Sequence, residues 1–308
     1  MHLDTDLGSD PDDACALVML LGWAGVELVG VTTSSDPGGQ RAAYVEHCLH
    51  LLGRRDIPVA AGAERSLSHD GTAEPVRDTR YWTTPVSPRP ARAGEAVELL
   101  RHSVEMDAVV VAVGPYTNLA VLEREHPGTL SRPRVVVMGG WVDPPAAGLP
   151  PWGPERDYNM QWDTRAAQEV LASAGDLTLS TLPVSLQVPL RRRDLRRLEA
   201  LGPMGELLAR QSEAHGEDSG KSDLGARFPG VPDDLVNFHY DPLACAVAAG
   251  WPGVTVEKRR LRAQIVRGVL RLLPARHGRS VRTVVDVDGG AFTGVWLSAV
   301  RAACERAR

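Results

Sequence analysis

Cysteine is scarce. The 308 residues hold four, Cys15, Cys48, Cys245 and Cys304, far apart and with no CxxC spacing. That argues against a zinc site or a disulfide framework. Three of them lie in apolar helical stretches, the setting of buried thiols, which fits a reducing compartment. An excess of basic charge is also missing: 34 Lys and Arg face 39 Asp and Glu, a net charge of -5. This gives no nucleic-acid footprint and no polybasic membrane patch. The basic clusters "RRRDLRRLEA" (191–200) and "EKRRLRAQIVRG" (257–268) read as a solvated helix face or strand edge. No apolar run approaches the ~20 residues of a membrane span. The first residues enter a strand at once and leave no room for a signal peptide, so the expected location is cytoplasmic. There is no internal repeat and no low-complexity linker.

What is present is an ordinary globular composition, 43% hydrophobic and 24% charged. Strand and helix signals alternate. "MHLDTD", "VELVGVTT", "IPVAAG", "DAVVVAVG", "RVVVMGG" and "LTLSTLPVS" read as strands. "DDACALVMLLGWAG", "GGQRAAYVEHCLHLLG", "ARAGEAVELLRHSV", "YTNLAVLEREHP" and "TRAAQEVLASAG" read as helices between them. Alternation with continuous apolar strands predicts an α/β fold, an open, mostly parallel sheet with helices on both faces. "VTVEKRRLRAQIV" and "SVRTVVDVDGGAFTGVWLSAV" add strands and a final helix to one domain spanning 1–308. Segments 64–92 and 211–235 look irregular. Loops of that length are functional lids or disordered, and both are expected beside the active site.

The opening "MHLDTDLGSDPDDACALVMLL" packs Asp4, Asp6, Asp10, Asp12 and Asp13 into ten residues. Part of this is the grammar of a helix start. Asp10 suits the N-cap, Pro11 the first helical position, and Asp12 and Asp13 the first turn, where the helix dipole favours acids. Asp6 is different, because it ends the preceding strand. In a parallel sheet the strand's carboxyl end and the next helix start share the edge where ligands bind. Neighbours on a helix project roughly 100° apart, so Asp12 and Asp13 serve different partners. Converging carboxylates select a hard cation, Ca²⁺ or Mg²⁺. An EF-hand loop does not fit, since counting from Asp4 places Ser9 where the glycine belongs and Cys15 where the glutamate belongs. An aspartyl-nucleophile phosphatase could begin "DTDLG", but those sites lack the following acid pair at a helix start. Downstream, "NFHYDPLACAVAAG" repeats an Asp-Pro helix start at Asp241, again readable as a cap. "AVGPYTNLAVL" exposes carbonyls at a strand end, "VVVMGGW" lets backbone approach a ligand, and "ERDYNMQWD" sets Asp157 and Asn159 on one side of an extended segment.

Together these stretches resemble the inosine-uridine-preferring nucleoside hydrolase family. "DTDLGSDPDDACAL" is similar to its DTDxGxDDAxAL opening with two extra residues, "VGVTTSSD" to GITTVAGN, and "AVGPYTNLA" to ATGPLTNIA. "VVVMGG" is similar to RIVIMGG, "RDYNMQWDTRAA" to AEFNIYVDPEAA, and "HYDPLACA" to LHDPLAVA, all in order. The resemblance implies hydrolysis of a ribonucleoside to base and ribose at one tightly bound Ca²⁺. It implies Asp6 as calcium ligand and general base toward a calcium-bound water, and Asp13, the Val113 carbonyl and Asp241 as further ligands. Asp12, Asp157 and Asn159 would hold ribose hydroxyls; Asp10 is the alternative match for Asp12 and a further metal candidate. It also implies a homodimer or homotetramer.

The sequence departs from the family at four places. "SSDPGG" replaces the asparagine after GITTVAG, leaving Asp36 as the candidate sugar contact. Tyr240 stands where the family has histidine before the calcium aspartate. "RYWTTP" occupies the place of HGxxG, and the asparagine upstream of EFN is absent from "GLPPWGPERDYN". The metal and ribose grip look retained and base recognition remodelled. Tyr81, Trp82, Trp141, Trp152 and Tyr240 are candidates for stacking on a base, or for plain packing. The rival readings are a non-hydrolytic nucleoside or ribosyl-binding protein on the same scaffold, and the phosphatase.

Overall fold

The computed structural model describes residues 1–73, 75 and 79–307. Strands β1 (His2–Thr5), β2 (Gly30–Thr33), β3 (Val59–Ala61), β4 (Val110–Ala112), β5 (Arg134–Met138) and β6 (Asp176–Ser180) pair in parallel. β7 (Pro189–Arg191) and β8 (Leu235–Phe238) form a separate antiparallel pair. β9 (Val254–Val266), β10 (Val269–Pro274) and β11 (Arg279–Val287) extend the main sheet, whose order is β10-β9-β11-β6-β5-β4-β1-β2-β3. β11 runs parallel to β6 and antiparallel to β9. The strand order reverses between β1 and β4, the switch point at which open α/β sheets bind ligands.

The strands are apolar on both faces because helices cover both. Val111, Val113, Val136 and Met138 face one core; Val110, Ala112, Val135 and Val137 face the other, the alternation expected of a pleated strand. Helices α1 (Asp12–Gly22) and α2 (Gln40–Leu51) cover the first core, and α3 (Glu95–Glu105) and α4 (Thr117–Glu125) the second. α5 (Tyr158–Trp162) and α6 (Thr164–Ser173) follow β5. Then come α7 (Leu182–Ser185), α8 (Arg192–Glu199), α9 (Pro203–Asp218), α10 (Leu224–Arg227), α11 (Tyr240–Ala248) and α12 (Gly289–Arg306). α1 packs against both α11 and α12. At the second contact a Cβ on Gly22 would fall 1.7 Å from the Ala299 carbonyl oxygen, so the two backbones touch.

Two features differ from the sequence reading. "LTLSTLPVS" ends as a strand at Ser180 and turns into α7. Segment 211–235 is largely not loop: α9 runs to Asp218, burying Gln211, Ser212, Ala214 and Gly216, and α10 and β8 follow. Its polar composition concealed a helix held by packing rather than by propensity. Segment 64–92 contains one isolated bridge, Arg65 with Thr72, and no helix or strand among its described residues; residues 74 and 76–78 lie outside them. The two basic clusters fall on the exposed face of α8 and on β9, as solvated surfaces. Among the described residues no helix is long and apolar enough to cross a membrane.

Candidate functional site

The loops leaving β1, β2 and β4 meet at the switch point. After β1 the chain turns through Gly8, at φ 144°, and enters α1 with Asp12 and Asp13 in its first turn. Asp241 lies in the first turn of α11. One oxygen from each of Asp12, Asp13 and Asp241 lies within 4.8 Å of the others, and all three residues are buried. Among the described residues none of the three is in an ion pair with a basic side chain. Thr5 Oγ1 donates to Asp13, and the Asp241 N–H stands 3.4 Å from Asp12 Oδ2. Burial, reinforced by neighbouring carboxylates, pushes all three well above the ordinary range. Buried, unneutralised carboxylates are costly. A donor set made only of oxygen fits a hard divalent cation, which removes that cost.

Asp6 stands at the rim of this triad. Burial raises its carboxyl to about 6, Arg41 opposes that, and Asp10 adds to it. It is close enough to push up Asp13 and Asp241 in turn. The tight group is therefore Asp12, Asp13 and Asp241, whereas the resemblance assigns Asp12 to the sugar and Asp6 to the metal. The Val113 carbonyl accepts from Asn159 Nδ2 at 2.7 Å, which brings those two expected site residues together. Asp157 caps α5 through the Met160 N–H (3.1 Å) and accepts the Gly140 N–H at 2.5 Å. Burial raises it to about 6 despite these two donors. Asp4 lies below the site, where its Oδ2 accepts from Thr32 and Asn118.

Several expected contacts are engaged elsewhere. Asp10 does approach the Asp12 N–H (3.3 Å), but its carboxylate also takes Lys221 Nζ and His215 Nε2 at 3.0 Å each and Asn237 Nδ2 at 2.6 Å. Against the upward push of burial, Lys221 and His215 hold it well below the ordinary range, so it joins an ion-pair cluster rather than the triad. Asp36, the candidate sugar contact, accepts the N–H groups of Arg41 (2.7 Å) and Ala42 (3.0 Å) and the Thr33 hydroxyl (2.7 Å), and so caps α2. Trp82 stacks on Tyr44 at 3.9 Å and donates to the Gly8 carbonyl; it braces the aspartate loop and presents no open face to a base. Tyr240 is buried beneath Lys221, whose ammonium is 5.1 Å from the ring, and beside Phe238. Trp141 donates to the Trp152 carbonyl, and Tyr81 to Asp218.

The structure adds residues the sequence reading missed. Arg41 is buried, and its guanidinium donates to the carbonyls of Ser35, Asp6 and Leu7. Tyr158 is 49% exposed and stacks on Trp162; burial, with the Asp6 carboxylate next, raises its phenol to about 12. Lys221 and His215 flank Asp10 from the α9 side. Arg41 and Tyr158 also touch chain neighbours, Ser35 and Trp162, but their links to Asp6, like those of Lys221 and His215 to Asp10, span more than thirty residues and leave no local sequence signal.

A family model described as inosine-uridine preferring nucleoside hydrolase matches residues 1–294. The pyrimidine-specific ribonucleoside hydrolase RihA of Salmonella schwarzengrund (strain CVM19633) is 32% identical over 222 residues, covering 68% of this chain and 70% of that protein. RihA of Escherichia coli O7:K1 (strain IAI39 / ExPEC) is 33% identical over 220 residues, 67% of this chain and 68% of that protein. Among solved structures, a purine-preferring ribonucleoside hydrolase from Gardnerella vaginalis superposes with a TM-score of 0.81 at 22% identity, over 99% of both chains. The fold, the acid-rich switch point and the match over nearly the whole length agree: the chain belongs to the inosine-uridine preferring nucleoside hydrolase family, enzymes that cut the N-glycosidic bond of ribonucleosides.

Proposed function

We propose that this chain hydrolyses a ribonucleoside to base and ribose with Ca²⁺ held by Asp12, Asp13, Asp241, Asp6 and the Val113 carbonyl. The observation that carries this is the buried carboxylate triad, its oxygens within 4.8 Å of one another and in no ion pair with a basic side chain among the described residues. Calcium bound there would acidify and hold a water and grip the ribose hydroxyls. Asp6, near 6 and so ionised at neutral pH, takes the water's proton as general base. Asp12, Asp157 and Asn159 fix the ribose, with Asp12 reaching it from the same helix turn that presents Asp13. Sugar C1′ gains positive charge as the C–N bond breaks, and the surrounding carboxylates stabilise it. Tyr240 and the half-exposed Tyr158 border the region where the base would leave.

A cytoplasmic setting belongs to the same reading; it is supported by four buried cysteines, none in a disulfide. So does assembly into a homodimer or homotetramer, which light scattering tests. The test of function is a metal-stripped sample reloaded with Ca²⁺, Mg²⁺ or nothing and offered a panel of purine and pyrimidine nucleosides. Calcium-dependent release of ribose is expected. Ligand binding without turnover in every condition would favour a binding protein on this scaffold.

A further inference from the structure

Ser34 and Ser35 are buried, yet neither hydroxyl has a hydrogen-bond partner among the described residues. A buried hydroxyl left without a partner is destabilising, so an unpartnered pair in one turn asks for a ligand. Their neighbours are all engaged. Asp36 holds Thr33 and the start of α2, and Arg41 Nε holds the Ser35 carbonyl at 2.8 Å. Ser35 sits at φ 49°, a left-handed conformation that a non-glycine residue adopts only when its surroundings impose it.

The turn is aimed at the site. The Ser34 N–H donates to the Thr5 carbonyl at 2.9 Å, which registers Ser34 beside the end of β1, next to Asp6. A Cβ on Gly114 would stand 2.7 Å from Ser34 Oγ and 2.9 Å from Asp6 Oδ1, so both oxygens flank the face of the residue that follows Val113. Arg41 donates to Ser35 on one turn and to Asp6 and Leu7 on the other, and fixes their separation.

We propose that Ser34 is a positioning residue for hydrolysis: its hydroxyl and the Asp6 carboxylate together hold the attacking water, and Arg41 sets the spacing between them. The proposal rests on the hydrolase reading above. The water gives one hydrogen to Asp6 and a second contact to Ser34 Oγ, which leaves a lone pair directed at the sugar. As the C1′–O bond forms, the proton passes to Asp6. The base departs with the C–N electron pair and is protonated by solvent. Ser34 keeps its own proton throughout and contributes orientation alone.

Crystals of the wild-type protein loaded with calcium, with and without ribose, test this without turnover. The expected finding is one oxygen within hydrogen-bond distance of both Ser34 Oγ and the Asp6 carboxylate: a water with calcium alone, the anomeric oxygen when ribose is bound. Calcium-loaded crystals in which Ser34 bonds only to protein would overturn the proposal. In kinetics, Ser34→Ala should lower kcat by about 10- to 100-fold with KM nearly unchanged, and Ser34→Thr should recover much of the loss. An alanine variant with wild-type kcat, or one changed only in KM, would also overturn it. Should Ser34→Ala fail to fold, the crystals decide. A wild-type protein that turns over no nucleoside counts against the hydrolase reading, and the crystals still decide Ser34.

Discussion

Asp6 and Asp10 lie four positions apart on one loop and carry opposite perturbations. Asp6 is raised to about 6 by burial, while Lys221 and His215 overcome burial at Asp10 and hold it low. The difference sorts a base from a structural anion, because only the former takes up a proton near neutral pH. Asp6→Asn should therefore cut kcat by roughly 10²- to 10⁴-fold while leaving the circular-dichroism spectrum unchanged. A variant with full activity would remove Asp6 from the base role. Sequence exposed these acids because they crowd one stretch. It did not expose Arg41, which reaches Asp6 from 35 residues away, or Lys221, which reaches Asp10 from 211 away. Asp36 misleads for a related reason: an acid just before a helix looks the same whether it faces a ligand or its own backbone.

At the scale of elements, two contacts hold the site's supports in place. Asp36 ties the turn after β2 to α2 through three hydrogen bonds. Asp36→Ala leaves those donors unmet, and a destabilisation of about 2 kcal/mol or more is expected in urea titrations. Gly22 lets α1 and α12 touch, so Gly22→Ala should cost about 1–3 kcal/mol by overpacking, measured the same way, without altering metal stoichiometry. The buried parallel strands were legible because "DAVVVAVG" and "RVVVMGG" are apolar on both faces. Elements β7, β8 and β10 were not, because short antiparallel strands take their identity from a partner far along the chain. α9 is hidden because "QSEAHGED" is polar in composition although several of those residues are buried.

For the whole molecule, charge at the switch point governs how stability responds to pH and metal. Asp12, Asp13 and Asp241 sit above their ordinary carboxylate range when folded. Between the ordinary value and the raised one the native state binds more protons than the unfolded chain, so metal-stripped stability falls as pH rises through that window. A divalent cation such as the calcium proposed above would bind the ionised form and reverse the sign. The melting temperature in chelator should thus drop as the pH is raised from about 5 to about 7. Added calcium should raise it more at the higher pH, by about 2.7 kcal/mol of stability at a hundredfold excess over Kd. A chelator-treated protein whose stability rises over the same range would contradict this account.

The contact between α1 and α12 has a further consequence. The helix that presents Asp12 and Asp13 packs against residues 289–306, and the strand before it is central in the sheet, between β2 and β4. The segment that carries the aspartates therefore has its permanent neighbours spread over the rest of the chain. Long-range closure of this kind slows folding and leaves apolar surface uncovered in the interval. Chains truncated before residue 289 should be held by chaperones or lost to proteolysis, and the acid cluster should assemble only after residues 289–306 dock.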